Sequence, residues 1–182
     1  MHTFTLGEIL IVVSIIVIIG SIGMINFSLV FQKSNLKIAL NQISQEIEKI
    51  RSYSLVFLSS QTSLPEGYGI EIQENAKSYF IFNDENGNGK REAGEIFEKE
   101  DLPSKVEISE IEIKKKDGTF LNPNTLYIVF FPPYPKLEIR TPASSEAISD
   151  WKFIEVQLKI ENKFCPEWCK EFKINPLGAI EK

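Results

Sequence analysis

The feature that most constrains this chain is a long, almost uncharged stretch near its amino terminus. Between Phe4 and Phe31 the only charged residue is Glu8. A helix needs about 20 apolar residues to cross a hydrocarbon core about 30 Å thick, and the run that follows Glu8 is long enough. The run is rich in Ile and Val, which are mediocre helix formers in water, but a backbone in lipid satisfies its hydrogen bonds by forming a helix. We therefore expect a transmembrane helix over residues 4–32.

Two simple interpretations of this stretch fit less well. A cleaved secretory signal would begin with basic residues and have a shorter apolar core, whereas this chain begins Met1-His2-Thr3. A plain signal anchor gives no reason for Glu8, because a carboxylate near the end of a membrane segment is costly and usually has a partner. The position of Glu8 therefore calls for a further explanation.

The sequence Phe4-Thr5-Leu6-Gly7-Glu8, followed at once by five aliphatic residues, resembles the processing and methylation site of type IV pilins and pseudopilins. The resemblance implies that a prepilin peptidase cuts between Thr3 and Phe4, and that the new amino terminus of Phe4 is methylated. It also implies that Glu8 lies in the filament core and pairs with the Phe4 amine of a neighbouring subunit, since an unpaired buried charge costs several kcal/mol. The family usually has Gly before the Phe, whereas this chain has Thr3.

An amphipathic pattern continues directly from the apolar run. Apolar residues recur at three- and four-residue steps, and charged residues fill the other faces, which is typical of a helix with one buried stripe. The first Pro is Pro65, so we expect one helix from about Thr5 to Leu58, with an amphipathic part over 33–58. The predicted stripe consists of Leu36, Leu40, Ile43, Ile47, Ile50 and Ser54.

The period changes to two in the rest of the chain, which predicts a β-rich domain over 59–182. The predicted fold is α+β, in which a long transmembrane and then amphipathic helix is followed by an antiparallel β-sheet domain. This architecture is pilin-like. Residues 1–3 form the leader that the processing site implies. Seven to nine strands are expected, the clearest of them within Tyr68–Ile72, Ser78–Phe82, Val106–Ile113, Leu126–Phe131 and Phe153–Ile160.

A polar loop between two predicted strands is the one motif that could bind an ion. Residues 84–95 fit D-x-[DN]-x-[DN]-G-x5-E, the calcium loop of EF-hands, which presents hard oxygen ligands on a tight turn. Because strands rather than helices are expected on both sides, a Gly- and Asn-rich turn is the other interpretation. The candidate calcium ligands are Asp84, Asn86, Asn88, Lys90 through its carbonyl, Glu92 through water, and Glu95.

The two cysteines, Cys165 and Cys169, have a spacing unlike that of common zinc pairs, and the single histidine, His2, is far away. In an oxidising compartment we expect a disulfide between them, with a stabilisation at the low end of about 2–4 kcal/mol because the loop is small. A pair of reduced thiols is the alternative. With no catalytic constellation in the sequence, we predict no enzyme activity, and the net charge of −5 argues against nucleic acid as the main partner.

The loop and its flanks also resemble the GspH/FimT group of minor pilins and pseudopilins, as do Arg51-Ser52 and Pro176-Leu177-Gly178. The resemblance implies a structural subunit of a type IV pilus or a type II secretion filament, and the sequence does not separate these two. Its implied partners are other pilin or pseudopilin subunits, the prepilin peptidase and the membrane. The implied location is the cytoplasmic membrane, with the β-rich domain outside the cytoplasm. The alternative is an anchored binding protein, either a calcium-dependent adhesin or a DNA-capture pilin.

Overall fold

A computed structural model describes residues 5–55, 65–133, 136–144 and 146–182 of the chain. Contacts between residues divide the protein into two units, Met1–Ser34 and Asn35–Lys182. The first unit contains the amino-terminal part of a helix, α1 (Leu6–Leu55). The second unit contains the rest of α1 and all the described strands.

The part of α1 in the second unit buries the apolar stripe that its periodicity predicts. Leu36, Leu40, Ile43, Ile47 and Ile50 are all buried, because three- and four-residue steps place them on one face of the helix. The prediction of this stripe is confirmed. Of the helix predicted from about Thr5 to Leu58, α1 covers Leu6–Leu55, and residues 56–58 lie outside the described residues.

The described strands form two antiparallel sheets of five strands each. The first sheet has the order β3-β2-β1-β6-β7, and the second has the order β10-β9-β8-β4-β5. The bounds are β1 (Gly67–Gln73), β2 (Ser78–Asp84), β3 (Ile96–Asp101), β4 (Val106–Lys115), β5 (Phe120–Leu121), β6 (Thr125–Phe131), β7 (Lys136–Arg140), β8 (Trp151–Ile160), β9 (Cys169–Ile174) and β10 (Ile180–Glu181).

One hydrophobic core joins the helix stripe to the inner faces of both sheets. Alternate strand residues point to opposite faces, so Ile70 and Ile72 of β1 enter this core while Glu71 points away from it. The same alternation places Ile111 and Ile113 of β4 inside. We call the face of each sheet that points away from this core its outer face.

The turn between β1 and β2 connects the two sheets through the backbone. The N–H of Asn75 donates to the carbonyl of Ile108 at 2.7 Å, and the N–H of Ile108 donates to the carbonyl of Ala76 at 3.0 Å. Asn75 has a φ of +61°, a left-handed conformation that Asn tolerates better than most residues. These bonds satisfy polar groups of β4 beside the core, where an unpaired backbone group would be costly.

The predicted fold class is wrong in two respects. Among the described residues, no helix is long and apolar enough to cross a membrane. Three predictions are therefore wrong. They are the transmembrane helix over 4–32, the single-pass anchor in the cytoplasmic membrane, and the extracytoplasmic location inferred from that anchor. The β-rich part forms two sheets rather than one, because the alternation of residues marks strands without showing which strands pair.

Candidate functional site

The start of α1 is held by a reciprocal pair of side-chain contacts between Thr5 and Glu8. The backbone N–H of Thr5 donates to Oε2 of Glu8 at 2.8 Å, and Oγ1 of Thr5 donates to the same oxygen at 3.0 Å. In return, the N–H of Glu8 donates to Oγ1 of Thr5 at 3.3 Å. This is a capping box, which satisfies donors at the helix end that have no partner within the helix. The Thr-x-x-Glu spacing carries this signal, although the sequence-based prediction did not include it.

The helix surface that follows Glu8 is apolar and exposed. Ten of its aliphatic side chains between residues 9 and 19 are 50% to 65% exposed in the isolated chain. A helix that is apolar on all sides normally lies inside a larger assembly of hydrophobic side chains. The predicted processing residues, Thr3 and Phe4, lie outside the described residues.

The predicted calcium ligands come together in one compact loop between β2 and β3, which we call the Asp84–Glu95 loop. Asp84 is fully buried and accepts the N–H groups of Asn88 at 3.1 Å and Gly89 at 2.8 Å. Glu95, also buried, accepts the N–H groups of Glu85 at 3.2 Å and Glu92 at 2.9 Å. The two carboxylates therefore organise the loop by accepting hydrogen bonds from its backbone.

The two Asn side chains and Glu92 complete this internal network. Oδ1 of Asn86 accepts the N–H of Asn88 at 3.0 Å, and Oδ1 of Asn88 accepts the N–H of Lys90 at 2.7 Å. The amide of Asn88 donates to Glu92 at 2.6 Å, and that of Asn86 donates to Glu92 at 3.3 Å. The side chain of Lys90 points elsewhere and donates to the carbonyl of Pro142 at 3.2 Å. The loop thus has a set of hydrogen bonds that holds its shape.

The buried carboxyl of Asp84 has a shifted pKa. Burial raises the pKa of the Asp84 carboxyl above its ordinary value, the nearby Glu95 raises it further, and the N–H groups that Asp84 accepts act in the opposite direction. In the parts of the chain that the structure describes, no group of three or more His, Cys, Asp or Glu side chains is arranged to hold a metal ion. The calcium ligand set stays a prediction.

Arg91 fastens the Asp84–Glu95 loop to the outer face of the first sheet. Its guanidinium forms an ion pair with Glu71 of β1, in which Nη2 lies 3.2 Å from Oε1. The same guanidinium lies over the ring of Phe80, 4.3 Å from the centroid, in a cation–π contact. The sequence analysis did not single out Arg91. Nothing in the local pattern links it to Glu71, twenty residues away.

A disulfide links Cys165 and Cys169, as the sequence predicted, with their Cα atoms 5.2 Å apart. Cys165 is exposed in the turn between β8 and β9, and Cys169 is the first residue of β9. Sγ of Cys165 lies 3.2 Å from Oε1 of Gln157 on the outer face of the second sheet. The disulfide therefore borders the surface of that sheet.

These three sites differ in what they can do chemically. The start of α1 offers a carboxylate beside a large apolar surface, which suits packing against other helices. The Asp84–Glu95 loop offers buried carboxylates that its own backbone already engages, and the cysteine pair offers a bond that thiolates can attack. Comparisons of the chain with protein-family models, with curated proteins and with solved structures find no match.

Proposed function

We propose that this chain is a structural subunit of a filament, a minor pilin or pseudopilin of a type IV pilus or type II secretion filament, assembled through its amino-terminal helix. The observation that carries the proposal is the exposed apolar surface of α1 between residues 9 and 19. Burying apolar area releases about 25 cal/mol per Å², so ten exposed aliphatic side chains on one helix favour association. Side-by-side packing with the helices of other subunits buries it.

Glu8 gives this packing a defined register. Both hydrogen bonds from Thr5 end on Oε2 of Glu8, which leaves Oε1 for the amine of Phe4 on a neighbouring subunit. An apolar surface alone allows many alignments of two helices along their axes. A carboxylate carried into an apolar bundle without a partner costs several kcal/mol, so only the alignment that brings an amine to Glu8 is stable.

The capping box supplies the competing explanation of Glu8. A residue that only caps α1 would contribute about 1 kcal/mol to the helix start and have no role between subunits. Glu8→Gln keeps a side chain that serves in a capping box but removes the charge. Thr5→Ala keeps the charge but removes the cap, so the two substitutions separate the two roles.

The experiment measures how much of each variant co-purifies with sheared filaments from the native host, relative to its total amount in the cell. We expect Glu8→Gln and Glu8→Ala to accumulate normally but to be lost from filaments, whereas Thr5→Ala is incorporated nearly as well as the wild type. If Glu8→Gln is incorporated normally, the pairing mechanism is wrong. If Thr5→Ala fails as badly as Glu8→Ala, the cap rather than the charge is what assembly requires.

A further inference from the structure

The Cys165–Cys169 disulfide forms part of the wall of a cavity of about 340 Å³ at the end of the second sheet. We propose that this disulfide is a thiol-exchange site, at which a small-molecule thiol that carries carboxylate groups forms a mixed disulfide with Cys165. The cavity has the size of a site for a small ligand. Besides the two cysteines, its lining includes Gln157, Lys170, Glu171 and Lys182.

The turn that contains the disulfide is also held by other bonds. The N–H of Ile160 donates to the carbonyl of Trp168 at 3.0 Å, and the N–H of Lys163 donates to the carbonyl of Ile160 at 3.0 Å. Cys169 is itself paired with Lys159 in the register of β8 and β9. A disulfide between residues four apart closes a very small loop, so it restricts the unfolded chain little. The fold therefore gains little from this bond.

The two sulfurs differ in access. Cys165 is exposed in the turn, whereas Cys169 is partly buried at the start of β9. Exchange needs a thiolate that can reach one sulfur and a second sulfur that can leave as a thiolate. The exposed position makes Sγ of Cys165 the point of attack and Sγ of Cys169 the leaving group. Exposed disulfides are the ones that exchange most readily.

In the proposed step, the incoming thiolate attacks Sγ of Cys165 along the S–S axis. A bond forms between the incoming sulfur and Cys165 as the Cys165–Cys169 bond breaks. The electron pair of the broken bond stays on Cys169, which becomes a thiolate and takes a proton from solvent. No oxidant or reductant other than the thiol itself takes part. Attack by Cys169 on the mixed disulfide reverses the step and releases the thiol.

The charges around the cavity select the kind of thiol. Its lining includes two lysines, Lys170 and Lys182, against one acidic residue, Glu171, and the ammonium group of Lys182 donates to Oδ1 of Asn41 at 2.8 Å. A net positive site attracts an anionic thiolate, favours carboxylate groups on the thiol, and stabilises the thiolate that leaves on Cys169. A thiol that carries an ammonium group instead is disfavoured there.

The test treats the full-length protein with glutathione, an anionic thiol, or with cysteamine, a cationic thiol, at equal thiolate concentration. Free thiols are then blocked by alkylation and the protein is mapped by mass spectrometry. We expect glutathione on Cys165 and the alkyl group on Cys169, formed several-fold faster than the cysteamine adduct. Lys170→Gln should slow the reaction with glutathione several-fold and leave that with cysteamine unchanged or faster.

A double variant, Cys165→Ser with Cys169→Ser, checks that the disulfide is dispensable to the fold. Its melting temperature should lie within a few degrees of that of the wild type, and a loss of the folded state on removing the bond would overturn the proposal. So would a disulfide that stays intact in millimolar glutathione, an adduct found mainly on Cys169, or exchange with a protein thiol alone. Equal rates for the two small thiols would refute the selection for carboxylates.

Discussion

The outer faces of the two sheets follow the same alternation of residues along the strands, but one face is buried and the other is partly exposed. On the first sheet, Phe82 and Val129 are fully buried although they lie outside the main core. The Asp84–Glu95 loop lies against this face through Arg91, and the rings of Phe82 and Tyr127 meet edge to face. On the second sheet, the outer positions are mostly Glu and Lys, and they remain partly exposed.

This difference shows how a polar residue acquires a large or a small energetic effect. Glu71 on the first sheet is 5% exposed and is paired with Arg91, so losing its partner leaves a charge out of contact with water. Glu107 on the second sheet pairs with Lys159 at 3.2 Å, but water reaches both residues. Ion pairs of the first kind are costly to break, and those of the second kind are worth little.

The largest expected effect is therefore that of removing Arg91. Arg91→Ala leaves Glu71 buried and unpaired and should lower the free energy of unfolding by about 3 kcal/mol. Lys159→Ala, the matched change on the second sheet, should cost under about 1 kcal/mol. Urea unfolding of residues 33–182 measures both.

A second substitution locates the source of this cost. Glu71→Gln, added to Arg91→Ala, removes the uncompensated charge and should recover a large part of the lost stability. If Arg91→Ala and Lys159→Ala lower the free energy of unfolding by equally small amounts, the Glu71–Arg91 pair on the first sheet is not buried as described.

The next largest effect is expected within the Asp84–Glu95 loop. Asp84→Ala removes a buried acceptor of the N–H groups of Asn88 and Gly89, and should cost about 2 kcal/mol with a chelator present. Asp117 in the turn after β4 also accepts a backbone N–H, from Thr119 at 2.8 Å, but it is exposed, so Asp117→Ala should cost clearly less. The measurement is the melting temperature of each variant.

Measuring the melting temperatures with and without calcium separates the effect of the Asp84 hydrogen bonds from that of a bound ion. The hydrogen bonds of Asp84 are present without an ion, so the loss on Asp84→Ala should already be seen in chelator. A cation that binds the folded loop would add about 2.7 kcal/mol at a hundredfold excess over its Kd. A wild-type melting temperature that rises with calcium, while that of Asp84→Ala does not, would establish the calcium prediction. A loss seen only when calcium is present would show that the hydrogen bonds of Asp84 do not stabilise the loop by themselves.

A smaller effect is expected from adding a methyl group at Gly69, beside the ring of Phe82. A Cβ atom on Gly69 would lie 2.4 Å from Cζ of the buried Phe82 ring. Gly69→Ala should therefore force the ring to shift and cost about 1–2 kcal/mol. Gly69→Ala combined with Phe82→Leu should be less destabilised than the sum of the two single changes, because the smaller side chain relieves the clash. Strict additivity in urea unfolding would show that the two residues do not meet.

The features of the fold and of the candidate sites that could be predicted from sequence are those that a pattern within one segment indicates. The helix stripe from Leu36 to Ile50 and the strand around Ile111 follow from periodicity, which each segment carries by itself. The division into two sheets depends on which strands pair, and the pairing of β4 with β8 joins residues 36 to 54 positions apart. Arg91 was missed as a fastener for the same reason, since its partner, Glu71, lies on another strand. The capping box of Thr5 and Glu8 was local and could have been found.

The smallest expected effect is a gain in stability, whereas the other substitutions lower it. On the outer face of the second sheet, Glu112 lies directly opposite Glu155. Burial, followed by the charges of Glu155 and Glu110, raises the pKa of Glu112. Because a raised pKa means that the folded state favours the protonated carboxyl, the charged form destabilises the protein once the pH exceeds this pKa. Glu112→Gln should therefore stabilise the protein by a few tenths of a kcal/mol at pH 7.

The gain from Glu112→Gln should fade as the pH falls from the raised pKa of Glu112 toward the ordinary glutamate pKa of about 4.3, and it should be absent below that value, since the wild-type carboxyl is then protonated in both the folded and the unfolded state. Glu107→Gln, on the same face of the same strand, removes the partner of Lys159 and should instead destabilise slightly at pH 7. Urea unfolding at pH 7 and pH 4 measures both differences. Effects of the same sign for the two substitutions would show that charge on this face acts as a whole rather than through the pairs that the register sets.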